Sequence, residues 1–490
     1  MLSFSAARRP GFPPSAASAV AARPLPPRTR APGPRSHARS PGGAPQAASL
    51  TLAIGTIGGA GDGIGIAPDG QRVFVPLTLP GEQVQAVPLA PRGGGLGARL
   101  ERILAASPDR AVPPCPQFGD CGGCVLQHWQ AGPYLEWKAD LLRAALIRAG
   151  FAVPTIAPTV ATPPTARRRM DLALWRAGAD LRVGLHRLRG TEVVDLAACA
   201  VLHPTLAGLI APLRALLRSV AALRREGAAV ANLLDAGPDL LLRTDAEPSL
   251  ADRQRLTAFA RAHGLARISW ARGSGEPEPI AVLHAPVVTF SGVTVAPPPG
   301  AFLQASAAGE AAIIAAVLAG LPAHLPPRGR IVELYAGCGT LSFALAARGA
   351  VSAFEGDAAS VAALRAAAAG AGLAGRIEAR QRDLARQPLA AAELANAAAV
   401  VLDPPRAGAA AQMAALAAAG PSRVIYVSCD PATLGRDAAL LAAAGYTLAA
   451  ATPIDQFLWS ARVECVAVFV RAAAPAARPG GFGSARPRPF

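Results

Sequence analysis

The chain has 490 residues, of which 52% are hydrophobic, and its formal net charge is +16. This length suggests two to four domains with ample core. No run of about 20 apolar residues lacks charges or prolines, and no apolar segment follows the first arginines, so the sequence predicts neither a membrane span nor a secretory signal. We therefore expect a cytoplasmic protein.

Most of the positive charge lies at the two ends of the chain. Residues 1–49 carry seven arginines and no acidic residue, and residues 471–490 carry four arginines and none, which leaves +5 for the middle. A basic middle fits a polyanionic partner, although weakly by itself. Both ends are rich in proline, so we expect a disordered leader over 1–48, or a leader upstream of the true start, and a disordered tail over 472–490.

Residues 49–106 have the pattern of a small β-barrel. Short apolar runs alternate with glycine-rich, Asp-Gly and Pro-Gly turns, as in "AIGTIGGAGDGIGIAPDGQRVFV". The pattern is typical of an OB-like barrel, and such barrels often bind nucleic acid. A purely structural barrel fits the same pattern.

Residues 107–290 are predicted to form a central α+β domain. "YLEWKADLLRAALIRAG" has helical periodicity over 134–150, and strand-like runs such as "MDLALWR" follow. The three arginines 167–169 come just before that strand. They are candidates for phosphate contacts, and a solvated charge run explains them equally well.

This segment also holds a cysteine cluster. Cys115, Cys121 and Cys124 have the spacing C-x5-C-x2-C, and with the three C-terminal cysteines set aside, Cys199 is the fourth candidate ligand. Both zinc and a [4Fe–4S] cluster accept four thiolates, and the spacing alone slightly favours zinc. His128 is interpreted as a packing residue or a donor behind the ligands, not as a ligand.

From about residue 291 to 471, strand-like runs alternate with helices of about a dozen residues. This alternation predicts a parallel, doubly wound, Rossmann-like sheet with its ligands at the carboxyl ends of the strands. The first strand ends in "VELYAGCGT", whose Gly337 and Gly339 permit close approach of a ligand. Glu355 ends the second strand, where it can accept ribose hydroxyls, and Asp383 ends the third.

The same region lacks the Gly-x-Gly-x-x-Gly spacing of dinucleotide sites, so S-adenosylmethionine is favoured over NAD as the ligand. The fourth strand ends in "VVLDPPR". Its Asp403 is placed to bind a nucleobase or the amino group of the methionine moiety.

Cys429 ends the fifth strand, in "YVSCDPATL". A lone cysteine is usually a small buried residue. Beside a methyl donor it has a second use, because a thiolate that adds to C6 of uracil turns the poorly nucleophilic C5 into an enolate carbon. A base must then remove the C5 proton. Glu464, an unexplained acid in the apolar last strand, is the candidate base, and alternation turns Cys465 toward the core.

The stretch 297–469 resembles the RNA uracil-C5 methyltransferases in "FLQAS", "ELYAGCGT", "FEGD", "DPPR", "SCDPATLGRD" and "VE". The resemblance implies that Cys429 is the nucleophile and Glu464 the base. It also implies cofactor contacts at a set of strand-end residues: Gln304, Tyr335, Thr340, Glu355, Asp383 and Asp403. Where the family commonly has two asparagines after the glutamine, this sequence has Ser306 and Glu310.

The ribosomal branch of that family carries a [4Fe–4S] cluster at this cysteine pattern and begins with an OB-like domain called TRAM. The resemblance thus implies a cluster on Cys115, Cys121, Cys124 and Cys199, a TRAM barrel over 49–106, and methylation of 23S ribosomal RNA. We also expect the protein to be a monomer. The alternatives are the same reaction on transfer RNA, C5-cytosine methylation, and a non-catalytic, cluster-bearing RNA-binding protein.

Overall fold

The computed structural model describes residues 48–152 and 154–471. The disordered leader and tail expected from the sequence lie outside these residues, apart from Ala48. Within the described ranges the chain forms 22 strands and ten helices. None of these helices is long and apolar enough to cross a membrane.

The first five strands close into a barrel, in agreement with the OB-like barrel expected over 49–106. Their order around the barrel is β1-β2-β3-β5-β4. Inward-facing side chains such as Leu52, Ile54 and Val84 fill the barrel and alternate with exposed ones. The strands are β1 (Leu50–Ile57), β2 (Gly63–Ile66), β3 (Arg72–Val75), β4 (Gln83–Arg92) and β5 (Gly95–Ala105).

The helix expected over 134–150 is α1 (Ala131–Arg148). It ends where Gly150 takes a φ of 98°, a conformation that glycine adopts without a steric cost. The sequence predicts α1 as part of the central domain, but its Leu142 and Leu146 share a core with the C-terminal sheet. The short strand β6 (Val160–Ala161) also joins the edge of that sheet.

The central region is built on a seven-stranded sheet whose order the sequence did not reveal: β13-β12-β11-β10-β7-β8-β9. The strands are β7 (Arg169–Ala177), β8 (Asp180–His186), β9 (Val193–Asp195), β10 (Glu226–Leu234), β11 (Gly237–Thr244), β12 (Arg267–Arg272) and β13 (Glu278–Val282). The helices are α2 (Pro204–Ala207), α3 (Ile210–Ser219) and α4 (Leu250–Ala262). A hairpin of β14 (Val288–Phe290) and β15 (Val293–Val295) crosses the domain boundary expected at 290/291.

The C-terminal region is the expected Rossmann-like sheet, with strand order β18-β17-β16-β19-β20-β22-β21-β6. Its strands are β16 (Arg330–Leu334), β17 (Val351–Glu355), β18 (Ile377–Gln381), β19 (Ala397–Leu402), β20 (Arg423–Ser428), β21 (Thr447–Asp455) and β22 (Glu464–Val470). The helices are α5 (Ala307–Gly320), α6 (Ser342–Ala346), α7 (Ala358–Gly370), α8 (Ala391–Leu394), α9 (Ala410–Ala419) and α10 (Pro431–Ala443).

The sheet departs from the fully parallel prediction at one strand. The neighbours from β18 to β20 pair in parallel, but β22 is antiparallel to both β20 and β21. Strands β21 and β22 are joined by the loop 456–463, which is too short for the helical crossover that a parallel pair requires. The reversal therefore brings the beginning of β22 to the edge where the parallel strands end.

Candidate active site

Cys429 and Glu464 lie at the same edge of the C-terminal sheet. Cys429 follows the last residue of β20, and Glu464 is the first residue of the reversed strand β22. The register pairs Ser428, the residue before Cys429, with Cys465, the residue after Glu464. Cys465 is fully buried and its Sγ donates to the carbonyl oxygen of Ser428 at 3.2 Å. Strand alternation thus leaves Cys465 in the core and turns Glu464 to the opposite face of β22.

The thiol is held at the joint between β20 and α10. Asp430 caps α10, and its Oδ1 accepts from the backbone N–H groups of Ala432 at 3.0 Å and Thr433 at 3.4 Å. Pro431 occupies the first helical position, where its missing N–H costs nothing. The "CDPATL" stretch therefore fixes Cys429 half-buried at the joint just before the N-terminus of α10.

A chain of side-chain amides connects the two carboxyl groups of the site. Nε2 of Gln304 donates to Oδ2 of Asp403 at 3.0 Å. Nε2 of Gln456 donates to Oε1 of Gln304 at 2.9 Å and to Oε2 of Glu464 at 2.6 Å. Gln456, the residue after β21, is missing from the candidates taken from the sequence. Nothing in its local pattern marks it, because two of its three partners, Ala305 and Gln304, lie 151 and 152 residues earlier in the chain.

The orientation of both amides follows from a single backbone group. The N–H of Ala305 can only donate, and it points at Oε1 of Gln456 at 3.1 Å. The NH₂ group of Gln456 must then face Gln304 and Glu464, and the NH₂ group of Gln304 must face Asp403. The two linked amides therefore donate hydrogen bonds to a carboxyl group at each end, Asp403 at one and Glu464 at the other.

Burial sets the protonation of these groups. It raises the pKa of Glu464 to about 8, to which the charge of Asp403 adds. Burial also raises the pKa of Asp403 to about 7, against the hydrogen bond from Gln304. The pKa of Cys429 is raised to about 11, first by burial and then by the charges of Glu464 and Asp403, while Arg462 lowers it. A proton acceptor with a pKa near neutrality thus lies beside a thiol that must lose its proton to react.

The loop after β16 has the backbone shape expected for a cofactor loop. Tyr335 has a φ of 63° and Gly339 one of 100°. A Cβ at Gly339 would lie 2.6 Å from Leu364, so the loop also needs glycine for close packing. Oε2 of Glu355 accepts from the N–H of Gly337 at 2.9 Å, which ties the end of β17 to this loop. The remaining lone pairs of Glu355 are available for ribose hydroxyl groups.

Two more of the expected cofactor residues lie along the same edge. Thr340 ends the loop just before α6, and the exposed Asp383 follows β18, where its Oδ1 accepts from the N–H of Ala385 at 3.1 Å. Strands β16, β17 and β18 are neighbours and parallel, so their carboxyl ends line one cleft. This places the expected cofactor residues of these strands together.

Glu333 is a further acid that the sequence analysis passed over. It lies within β16, is 2% exposed, and its Oε2 accepts from the hydroxyl of Ser342 at 2.5 Å. Burial raises the pKa of Glu333 to about 8. An acid in the apolar run "RIVEL" is the same signal that identified Glu464, and it would have found this residue too.

The residues that replace the family's asparagines have structural roles here. Ser306 caps α5, and its Oγ accepts from the N–H of Gly309 at 3.0 Å. Glu310 forms an ion pair with Arg168, whose Nε also donates to the carbonyl oxygen of Gln304 at 3.1 Å. Arg168 is therefore neither a solvated charge nor free for a phosphate: it fixes the segment that carries Gln304.

The four candidate cluster cysteines line a single cavity of about 340 Å³. Burial first, and then the charges of the other three cysteines, raise the pKa of the Cys124 thiol to about 12, as expected for sulfur atoms that are close together. Across the described ranges, no group of three or more His, Cys, Asp or Glu side chains is arranged as it stands to hold one metal ion. The cavity extends to Gln456 and Arg462, so it adjoins the active site.

His128 belongs to the packing around this region. It is 1% exposed, its ring lies 5.4 Å from that of Phe118, and burial lowers its pKa to about 4. It does not line the cavity that the cysteines share.

Comparisons with known proteins point to one family. Residues 300–472 match the family model for tRNA (uracil-5-)-methyltransferases. An uncharacterized RNA methyltransferase of Brucella suis biovar 1 is 40% identical over 424 residues, which cover 86% of this chain and 97% of the relative. The 23S rRNA (uracil(1939)-C(5))-methyltransferase RlmD of Chromohalobacter salexigens is 37% identical over 426 residues, or 84% of this chain and 87% of that protein.

Among solved structures, the tRNA (uracil-54, C5)-methyltransferase of Pyrococcus abyssi, in complex with S-adenosyl-L-homocysteine, superposes with a TM-score of 0.66. The match covers 86% of this chain and 100% of that one at 21% identity, which shows a shared fold. The sequence identities to the relatives extend over most of both chains. They show that this chain belongs to the S-adenosylmethionine-dependent RNA (uracil-C5)-methyltransferases.

Proposed function

We propose that this enzyme methylates C5 of a uridine in large-subunit ribosomal RNA through a covalent bond between Cys429 and C6 of the base. The observation that carries the proposal is the meeting of Cys429 and the buried carboxyl group of Glu464 at one edge of the sheet, next to the cofactor loop. C5 methylation needs a thiolate and a base in that arrangement.

The reaction begins when the Cys429 thiol gives its proton to water and the resulting thiolate adds to C6, which moves the electron pair of the C5–C6 double bond onto C5 as an enolate. This C5 carbon then attacks the methyl group of the substrate S-adenosylmethionine, whose C–S bond breaks, and S-adenosylhomocysteine leaves. Glu464 next removes the proton from C5. The electron pair of the broken C–H bond reforms the C5–C6 double bond, and the sulfur leaves as a thiolate.

Other residues orient the two substrates. Glu355 is proposed to bind the ribose of the methyl donor, with Tyr335, Thr340 and Asp383 around its other parts. Asp403 and Gln304 lie between the donor loop and Glu464, so we assign them to the donor or to the edge of the uracil ring. A uridine reaches Cys429 only when it leaves its stack, which favours a loop or single-stranded target.

We further propose that Cys115, Cys121, Cys124 and Cys199 hold a [4Fe–4S] cluster. Four thiols on one cavity wall are the donor set that such a cluster takes, and a cluster spreads its thiolates wider than one zinc ion does. When bound, the cluster would supply a rigid cross-link between the segments around residues 115–124 and 199. Its presence is measured by iron and sulfide content and by visible absorbance.

Family membership sets aside two alternatives, C5-cytosine methylation and a non-catalytic RNA-binding protein. Transfer RNA stays as the second substrate, because the family model is described for it. The relative RlmD and the N-terminal barrel support ribosomal RNA instead. The TRAM assignment, the monomeric state, the cytoplasmic location and the domain boundaries at 106/107, 290/291 and 471/472 are predictions.

The deciding experiment incubates the enzyme with undermodified total RNA and methyl-labelled S-adenosylmethionine, and then separates ribosomal from transfer RNA. We expect 5-methyluridine in large-subunit ribosomal RNA and none with Cys429→Ala. Label in transfer RNA alone would overturn the substrate and keep the mechanism. Label that survives Cys429→Ala would overturn the covalent mechanism.

A further inference from the structure

Building on the proposed function, we propose that Gln456 is a positioning residue. It holds Oε2 of Glu464, so that Oε1 is the atom that takes the proton from C5. Gln456 itself need not touch either substrate for this role. It acts through the carboxyl group that it orients.

The hydrogen bonds of Glu464 are unequal. Oε2 accepts from Nε2 of Gln456 at 2.6 Å, whereas Oε1 is buried and has no hydrogen-bond partner within the described residues. A buried carboxyl oxygen without a partner costs free energy, so folding alone does not explain it. The unpartnered oxygen belongs to the residue whose charge acts on the Cys429 thiol. It is the atom that is free to meet a proton of the bound base.

Gln456 is itself fixed from three sides. Its Oε1 accepts from Ala305, and its two N–H groups are used by Gln304 and Glu464. The first turn of α5 approaches so closely that a Cβ at Gly309 would lie 2.7 Å from Cβ of Gln456. A residue that positions another must itself be held in one orientation. The Gln456 amide meets this requirement, because every polar atom has a hydrogen-bond partner and the side chain has no room to rotate.

The backbone on both sides of Gln456 is anchored by a buried ion pair. Lys138 of α1 bonds to Asp455 and donates to the carbonyl oxygen of Phe457 at 3.2 Å. Tyr134 donates to Asp455 at 3.0 Å and accepts from the N–H of Trp459 at 2.8 Å. The residue before Gln456 and the one after it are thus tied to a helix outside the sheet.

Removal of the amide affects one step more than the others. Thiol addition and methyl transfer use Cys429 and the methyl donor, and Gln304, which is assigned to the donor or the uracil ring, keeps its hydrogen bond to Asp403 when Gln456 is replaced. Loss of the C5 proton needs Oε1 of Glu464 in position, with the C–H electron pair expelling the sulfur. A displaced carboxyl group therefore lets the methylated adduct form and slows its release. The enzyme would accumulate covalently bound to RNA.

The test compares Gln456→Met with the wild type on two RNA substrates, one with uridine and one with 5-fluorouridine. Fluorine on C5 cannot leave as a proton does, so 5-fluorouridine traps the adduct in any enzyme that completes methyl transfer. Gln412→Met is the matched control, since Gln412 is another fully buried amide and lies on α9, where it accepts from the N–H of Leu389. Covalent complexes are counted on denaturing gels.

We expect Gln456→Met to form the 5-fluorouridine complex like the wild type, to turn over uridine RNA on the order of 100-fold more slowly, and to accumulate the adduct on uridine RNA. Gln412→Met should accumulate none. Turnover of uridine RNA by Gln456→Met at the wild-type rate would overturn the inference, as would slow turnover without adduct. If even the wild type forms no complex with 5-fluorouridine RNA, the proposed function itself fails.

Discussion

The buried ion pair between Lys138 and Asp455 offers the sharpest test of how the active site is supported. Lys138 is the only lysine in a chain otherwise rich in arginine, and both side chains are 0% exposed. Burial lowers the pKa of Lys138 to about 8, against the attraction of Asp455, so the lysine is still charged at neutral pH. Replacement of Lys138 by Met removes this charge and keeps most of the volume.

The expected loss of unfolding free energy follows from what the variant leaves behind. Oδ1 of Asp455 keeps the bond from Tyr134, and Oδ2 has no partner in the described part of the chain. An uncompensated buried charge costs about 3–5 kcal/mol. The double variant Lys138→Met/Asp455→Asn removes both charges and keeps an acceptor for Tyr134, so we expect it to recover most of that loss.

Urea unfolding at neutral pH, followed by tryptophan fluorescence, measures these changes. Trp129 and Trp137 pack near the start of α1 and report on this region. A loss below about 1 kcal/mol for Lys138→Met, or a double variant less stable than the single one, would refute the reasoning, because either result means that the pair is not charged and desolvated as described.

Three further predictions follow from buried groups of the same region. Methylation of RNA should rise with pH through about 8 and on to higher pH, because the proposed base Glu464, whose pKa burial raises to about 8, must be ionised and the Cys429 thiol, whose pKa is raised to about 11, must lose its proton; initial rates from about pH 6 to about pH 9 measure this, and a flat profile would contradict it. Glu333, whose folded pKa of about 8 lies above its ordinary value of 4.5, binds more protons folded than unfolded between these values, so stability falls as pH rises through that window. Glu333→Gln has no carboxyl group to titrate, so its unfolding free energy relative to that of the wild type should increase by up to about 1.4 kcal/mol for each unit that the pH rises through this window, as measured by urea titrations. A difference in unfolding free energy that does not depend on pH would contradict this prediction. Gly309→Ala should lower methylation and cost about 1–3 kcal/mol, because the added Cβ meets Gln456 at 2.7 Å; the control Gly370→Ala, at the end of α7 with nothing within 4 Å, should be neutral or stabilising, and equal effects of the two would refute the packing argument.

Local patterns were enough to predict the elements and several residues of the site. The short apolar runs and glycine-rich turns of 49–106 predicted the barrel, and the strand–helix alternation after 291 predicted the Rossmann-like sheet with its ligand edge. Cys429 could be named because it ends a strand beside the expected methyl donor, and Glu464 because it is an acid in an otherwise apolar strand. The same reasoning, applied evenly, would have named Glu333.

Local sequence patterns could not predict the contacts between distant segments of the chain. Arg167, Arg168 and Arg169 look like one charge run, yet Arg168 pairs with Glu310 and supports Gln304. Helix α1 has no local mark that assigns it to the C-terminal sheet. Its lysine is buried there only because Asp455 comes from a strand more than 300 residues later.

The sequence by itself therefore determined which chemical groups this enzyme has, since strand and helix periods and the residue types at strand ends are local properties. Only the tertiary structure decided how those groups are arranged. The short loop 456–463 reverses β22 and brings Glu464 to the edge that holds Cys429, and Gln456 joins Glu464 to Gln304 and Asp403. Hydrogen bonds between segments far apart in the chain carry this information, because their geometry exists only after the sheet, α1 and α5 have packed.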